Sequence, residues 1–291
     1  MFPAGDCIYL STKLLPMDLF TRLSHGWALS LQSFKVLRHN RQLILFPLLS
    51  GLSITVVLLF FVMGTIAAAG WDPDIIAFQG HFTGYIFAFL FYLINYFVVV
   101  FFNAALMYCS GQYFKGEQVS VKAGLHFAAG RIKPIFSWAL FAATVGTLLR
   151  IIQDNVGFAG KIITAITGIV WSAATFFVVP VIAYEGLGPV DACKRSARLM
   201  REKWGESLGA GFSFFLIQLV LVLVIGGGFF VVGLLLHPLA GIILGCLALL
   251  LTIAVISATR AIFISAVYYD VIGDPVKHFN EKFADRLFES K

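Results

Sequence analysis

Residues 178–205 read VVPVIAYEGLGPVDACKRSARLMREKWG. An apolar run meets Pro180, then the carboxylate of Glu185, then a stretch carrying Lys194, Arg195, Arg198, Arg201 and Lys203. Two readings compete. Glu185 and its basic neighbours form a site for chemistry, or they mark where a membrane segment ends and a surface helix begins. The local grammar favours a junction. Pro189 suits the first turn of a helix, where the backbone N–H groups have no intrahelical partner anyway. Asp191 then complements the positive end of that helix dipole, and the later basic residues complement its negative end.

The apolar run before Glu185 is one of several. The chain has 291 residues, 59% of them apolar and only 12% charged, with a mean hydropathy of +0.91. A soluble surface carries about twice that charge density, so the composition points to an all-α polytopic membrane protein. A membrane helix needs roughly 20 apolar residues. Runs over about 43–69, 83–109, 135–153, 161–184, 207–236 and 238–268 qualify, giving six spans. The third is the weakest, because Arg150 and Asp154 intrude at its end. His237-Pro238 makes the turn between the last two, since proline restricts the residue before it.

Basic residues orient the bundle. Most of the 21 lysines and arginines fall in the segment before the first span, in 110–134, in 185–206 and after the last span. With six spans these all lie on one side, so both termini face the cytoplasm of a bacterial inner membrane. Arg150 and Lys161 mark a short loop on the other side, beside acidic Asp154, while Asp72 and Asp74 mark another. Residues 19–270 make the membrane domain and 271–291 a cytoplasmic tail. Residues 1–18 read as a disordered or untranslated extension with Met17 as an alternative start, because the amphipathic pattern begins at Leu19.

Each odd-numbered span is preceded by an amphipathic basic helix. Their apolar stripes step by threes and fours: Leu23, Trp27, Ser30, Phe34 and Leu37; Val121, Leu125, Ala128 and Ile132; Val190, Cys193, Ala197, Met200 and Trp204. The chain therefore reads as three pseudo-repeats of surface helix plus hairpin, with Arg38, Arg131 and Arg201 in one register. Lys194 and Arg198 share the polar face of the third helix. Such a collar is expected to contact anionic lipid headgroups of the bilayer, at about 1 kcal/mol per basic residue near the surface, and to organise a homo-oligomer. The alternative is that these helices only set topology.

Within the spans, Arg260 is the sharpest oddity, since a charge at the bilayer centre costs at least ~2.5–3.5 kcal/mol. It is a pore-lining or anion-attracting residue, or it pairs with Glu185 or Asp270. Glu185 itself is expected to pair with an arginine of a collar helix or with Arg260. Asn95, Asn103 and Gln218 are further in-span polar groups that either bond between helices or line water. Gly241 and Gly245 form a GxxxG pair, and Gly226, Gly227 and Gly228 allow either close packing or a discontinuous fifth span.

Enzyme signatures are lacking: there is no HExxH, GxSxG or phosphate-binding glycine loop. Cys7, Cys109, Cys193 and Cys246 lie far apart without metal spacing and fit small buried hydrophobes. No cofactor and no metal is expected, and the net charge of +6 is accounted for by topology without nucleic acid.

The stretch Val179-Pro180-Val181-Ile182-Ala183-Tyr184-Glu185-Gly186, followed by Ala192-Cys193-Lys194-Arg195-Ser196, resembles a pattern of uncharacterised bacterial six-span membrane proteins. The N-terminal SHGWALSLQSFKVLRHNRQLILFPLLSG resembles the same group. The pattern is also distantly similar to the membrane domain ahead of some glycerophosphodiester phosphodiesterases, whose catalytic domain this sequence lacks. The expectation is a non-enzymatic, oligomeric channel or transporter for a small solute or ion, anions included. The alternative is a scaffold that binds anionic lipid or a protein partner through its basic helices.

Overall fold

A computed structural model describes residues 19–68, 81–202, 204–235 and 238–273. The extension over 1–18, the tail beyond 273, the loop with Asp72 and Asp74 and the turn at His237 lie outside the described residues. Among the described residues the chain is helical, without strands. The helices are α1 (Leu19–His39), α2 (Leu45–Ala68), α3 (His81–Phe114), α4 (Val121–Gly130), α5 (Ile132–Asn155), α6 (Gly157–Ala174), α7 (Val178–Glu185), α8 (Pro189–Glu202), α9 (Trp204–Leu235) and α10 (Pro238–Val271).

Five helices are long and apolar enough to cross a bilayer, and α6 with α7 makes a sixth if that bent pair is one span. The chain is thus a multi-pass helical membrane protein. α3 and α10 have 34 residues each. At about 1.5 Å per residue each is about 51 Å long, against roughly 30 Å of hydrocarbon, so part of each stands outside the bilayer.

The buried residues show which part. In α10 every residue from Ala261 to Tyr269 is buried. The core further takes in α3 residues 104–107, Ile135, Trp138 and Ala142 of α5, Val181–Ala183 and Leu199 of α8, with Leu37 of α1, Phe46 of α2, Ala128 of α4 and Phe214 of α9. All of these gather at the end where the basic helices lie. Away from it the spans expose Leu, Ile, Val and Phe, as lipid-facing helices do. The enclosed core thus lies at the collar end; away from it the spans meet through fewer buried residues, as where the Phe61 ring meets Phe87 and Phe91 and the Asn155 amide donates to the Tyr85 hydroxyl. α10 is the central post, packed against α9, α3, α1 and α2, while α6 rests on α5 and α8.

The collar is stitched by specific bonds. Ser120 caps α4, its Oγ accepting the Ala123 N–H at 3.3 Å. The Gln42 amide donates to the Val119 carbonyl at 2.8 Å, tying the turn after α1 to the approach to α4. The stripes differ in phase from the apolar spacing. On α8 the buried residues are Ala192, Ser196, Leu199 and Met200, whereas Val190 and Ala197 are exposed. The reason is polar: Ser196 is drawn inward by a backbone bond described below. On α1, Ser30, Ser33, Val36 and Leu37 are buried and Trp27 is exposed; on α4 the innermost residues are Gly124 and Ala128. The side chains of Leu23 and Trp204 lie outside the described residues.

The triple glycine does not interrupt the fifth span, because α9 runs unbroken through Gly226–Gly228. In hydrocarbon an opened backbone has no water to bond, so a helix keeps its ladder even where glycine weakens its propensity. The discontinuity is in the fourth span instead, where α6 and α7 meet at 48°. The α5–α6 link is also tighter than a loop, since only Val156 separates Asn155 from Gly157.

At the far end α9 and α10 touch backbone to backbone. A Cβ on Gly241 would fall onto the Gly233 Cα, 2.7 Å from its nitrogen and 2.9 Å from the Phe229 carbonyl oxygen. Gly241→Ala is therefore expected to push the hairpin apart and cost about 1–3 kcal/mol, the range of overpacked contacts. Gly227→Ala, with nothing within 4 Å, is expected to be neutral or mildly stabilising. Unfolding by SDS titration in mixed micelles separates the two; equal midpoints would remove the contact's importance.

Candidate functional site

Pro180 explains the break in span four. It has no N–H to give to the carbonyl four residues earlier, at Phe176, so the helical ladder loses a rung there. On the other side of the break the Phe176 N–H takes the Ala173 carbonyl and the Val178 N–H takes that of Thr175. The buried Phe177 N–H between them is satisfied from outside, by Ser196 Oγ of α8 at 2.9 Å. α7 then widens into a π-helical turn, Val181–Glu185. Gly186 closes it at φ +65°, with its N–H on the Ile182 carbonyl. A β-carbon at Gly186 would be strained by that dihedral and would lie 3.4 Å from Arg131 Nη1.

Glu185 emerges from this turn into a pair of donors. Arg195 Nε lies 3.2 Å from Glu185 Oε1, and the Tyr268 hydroxyl donates to the same oxygen at 3.0 Å. The Glu185 and Arg195 side chains are 27% and 30% exposed. Glu185 thus pairs within α8 and α10 and not with Arg260. Behind it lies an aromatic cluster that the sequence reading missed. Tyr184 stacks on Tyr268 at 5.6 Å, meets Tyr269 edge-on at 5.5 Å, and lies 5.7 Å from Phe127 of α4. Lys115 lies over the Tyr269 ring and Arg131 over the Phe127 ring. The adjacent Tyr268-Tyr269 and the lone Tyr184 beside Glu185 were the available signal.

The motif of the opening stretch therefore has a physical account. Pro180 breaks the span, Ala192 packs without exposure, Ser196 caps the break and Glu185 joins it to α8 and α10. Cys193 is partly buried, and burial pushes its thiol further above its ordinary range.

The break also makes a cavity of about 320 Å³ between α3, the α6–α7 junction and α10. Its polar lining is Asn103, Ser172, Thr175, Ser257 and Arg260. Met107, Phe176, Val179 and Ile264 supply apolar walls. The Arg260 guanidinium sits 6.0 Å from the Phe176 ring centroid. Among the described residues it has no carboxylate partner. Glu185 is engaged elsewhere, and Asp270 is ten residues on, about 15 Å along the helix. Met107 links cavity to cluster, its carbonyl accepting from the Tyr184 hydroxyl at 2.9 Å and from Ser265 Oγ at 3.3 Å.

The remaining candidates divide. Asn103 and Arg260 come together; Asn95 is half-buried on α3 outside the cavity, and Gln218 is exposed on α9. Of the collar residues, Arg38, Lys194, Arg198 and Arg201 are exposed, while Arg131 is half-buried. Lys194 makes only a 4.0 Å contact with Asp191, both side chains largely exposed. Cys109 is buried but Cys246 is exposed on a lipid-facing side of α10, so it is not a core cysteine. Arg150 pairs with Asp154 at 3.8 Å beside Lys161, in a separate polar recess at the far end.

No curated protein matches this chain, and the likeness to the phosphodiesterase membrane domain finds no support. One family model does match, over residues 82–275, from the start of α3 to just beyond α10. That interval holds the broken span, the Glu185 node and the Arg260 cavity, and the chain belongs to the family of unknown function DUF6159.

Proposed function

We propose that this chain is a non-enzymatic, six-span transporter of the bacterial inner membrane that carries an anion by way of the Arg260 cavity. One coincidence carries the reading: the broken span and an arginine without a described carboxylate partner face the same cavity. Transporters use such interrupted helices at their substrate sites. Arg260, Asn103 and the hydroxyls of Ser172 and Ser257 offer donors to an anionic oxygen, while the Thr175 hydroxyl donates to the Trp171 carbonyl at 2.8 Å. The basic residues crowded at the collar end support both termini inside.

The exposed Arg38, Lys194, Arg198 and Arg201 favour a second reading, a scaffold held to anionic lipid. Transport across vesicles separates the two. Proteoliposomes are expected to move inorganic phosphate or short-chain fluorescent phosphatidylglycerol faster than protein-free vesicles, and short-chain phosphatidylcholine no faster. Arg260→Ala is expected to reduce that movement at least tenfold and Arg260→Lys to keep part of it. Vesicles as tight as the protein-free ones to both anions would sink the transporter reading and leave the scaffold.

A further inference from the structure

The cavity's opening says what kind of anion it takes. Ser172, Ser257 and Arg260 are exposed at its mouth. On α10 the mouth continues a single stripe at helical spacing, Leu250, Ile253, Ser257 and Arg260. Leu250 is 62% and Ile253 48% exposed, and across the mouth Ile169 of α6, three residues before Ser172, is 72% exposed. These are side chains for hydrocarbon, not for water. Beyond Arg260 the same helix enters the packed core, buried from Ala261 to Tyr269. Arg260 thus stands where α10 passes from lipid-facing to protein-enclosed surroundings.

The length of the stripe fits one leaflet. Arg260 to Leu250 is ten residues, about 15 Å along the helix, or half of roughly 30 Å of hydrocarbon. A charged head at Arg260 therefore leaves its chain running along Ser257, Ile253 and Leu250 toward the bilayer middle. Phe176, Val179 and Ile264 give the cavity apolar walls that a hydrated inorganic ion cannot use, while a glycerol backbone or the first methylenes of a chain can.

We infer that the Arg260 cavity binds an amphiphilic anion, a phosphate-bearing headgroup with its hydrocarbon tail in the leaflet on the collar side, admitted sideways from the lipid. The inference rests on the anion-carrier reading above and names its substrate class. The shared chemistry is an anionic phosphate oxygen; the source is a lipid and not free phosphate. Asn103, Ser172 and Ser257 add donors and acceptors that suit a glycerol headgroup.

The test uses the full chain in phosphatidylcholine nanodiscs doped with phosphatidylglycerol brominated on its acyl chains. Trp171 adjoins Ser172 at the mouth and stacks on Trp138 at 5.9 Å, so a bound brominated tail quenches its fluorescence. Wild-type protein is expected to be quenched by brominated phosphatidylglycerol at least tenfold more effectively than by brominated phosphatidylcholine, with millimolar inorganic phosphate failing to relieve it. Arg260→Gln is expected to lose that preference. Ser257→Leu, on a face already exposed to lipid, is expected to weaken it severalfold by narrowing the mouth while the fold stays intact. Lys161→Ala is expected to leave it in place, since that side chain lines the separate recess at the far end.

Relief by inorganic phosphate together with Arg260-dependent phosphate flux would overturn the lipid inference and leave the anion carrier standing. A preference unchanged in both Arg260→Gln and Ser257→Leu would overturn it too. Absence of quenching preference with no flux of either anion would remove both readings.

Discussion

Tyr268→Ala is expected to lower stability by about 3–5 kcal/mol, the range for removing a fully buried aromatic side chain. The side chain is 1% exposed and among the largest enclosed in the core. It is also where three elements meet, stacking on Tyr184 of α7, touching Tyr269, and donating to Glu185, which Arg195 of α8 holds in turn. Truncation leaves a cavity and also strips the carboxylate of one donor. Tyr268→Phe separates these effects by keeping the ring and losing the hydroxyl. Its expected cost is about 1 kcal/mol, below the ~1.5–3 kcal/mol of a hydrogen bond to a charged group, because the Glu185 side chain is 27% exposed and water partly replaces the donor. SDS-titrated unfolding in mixed micelles measures both. If the two variants cost the same, the hydroxyl and not the packing is what matters at this position.

Ser196→Ala is expected to cost about 1–3 kcal/mol, the desolvation penalty of a buried N–H left without its acceptor. Ser196 and Phe177 are both wholly enclosed, and the 2.9 Å bond between them is what satisfies the backbone at the break. The loss of one oxygen atom is thus expected to act on a segment nineteen residues away in sequence. Hydrogen–deuterium exchange gives the decisive readout, with faster exchange expected at 176–178 and little change in α9. Ser196→Thr keeps the oxygen and is expected to preserve protection there. Slow exchange at Phe177 in Ser196→Ala would show that another acceptor serves that amide.

How far the sequence could be read followed the kind of force involved. Spans and basic segments were legible because both depend on composition over long windows, and a run of roughly 20 apolar residues has few alternatives. The position of the break was not, although its signal was present. The Gly226–Gly228 run drew suspicion to span five, yet glycine only weakens a helix whereas Pro180 removes a donor outright. The collar helices were legible as helices but not in phase. On α8 an apolar scale selects Val190 and Ala197, while the molecule turns Ser196 inward because one backbone amide requires it. The pairing of Asn103 with Arg260 in one cavity joins residues far apart in the chain, and no local pattern encodes it. Glu185 was recognisable as half of an ion pair, but Arg195 could be chosen over Arg260 only with the π-helical turn and the direction of α8 in view.

Cohesion concentrated at the collar end has a mechanical consequence. The far ends of the spans carry few buried residues and are joined by the Gly233–Gly241 approach of α9 and α10, the Phe61 ring against Phe87 and Phe91, and the Asn155–Tyr85 bond. A mismatch between span length and bilayer thickness is accommodated by tilting, at fractions of a kcal/mol per Å. In this molecule that tilt is expected to fall on the ends with few buried residues, pivoting about the packed core near Tyr268. Thinner and thicker bilayers therefore change the spread of the helices at the far side while the register of the node holds. The mouth at Ser257 and Arg260, lying between pivot and free ends, is expected to open or narrow with the thickness of the membrane around it.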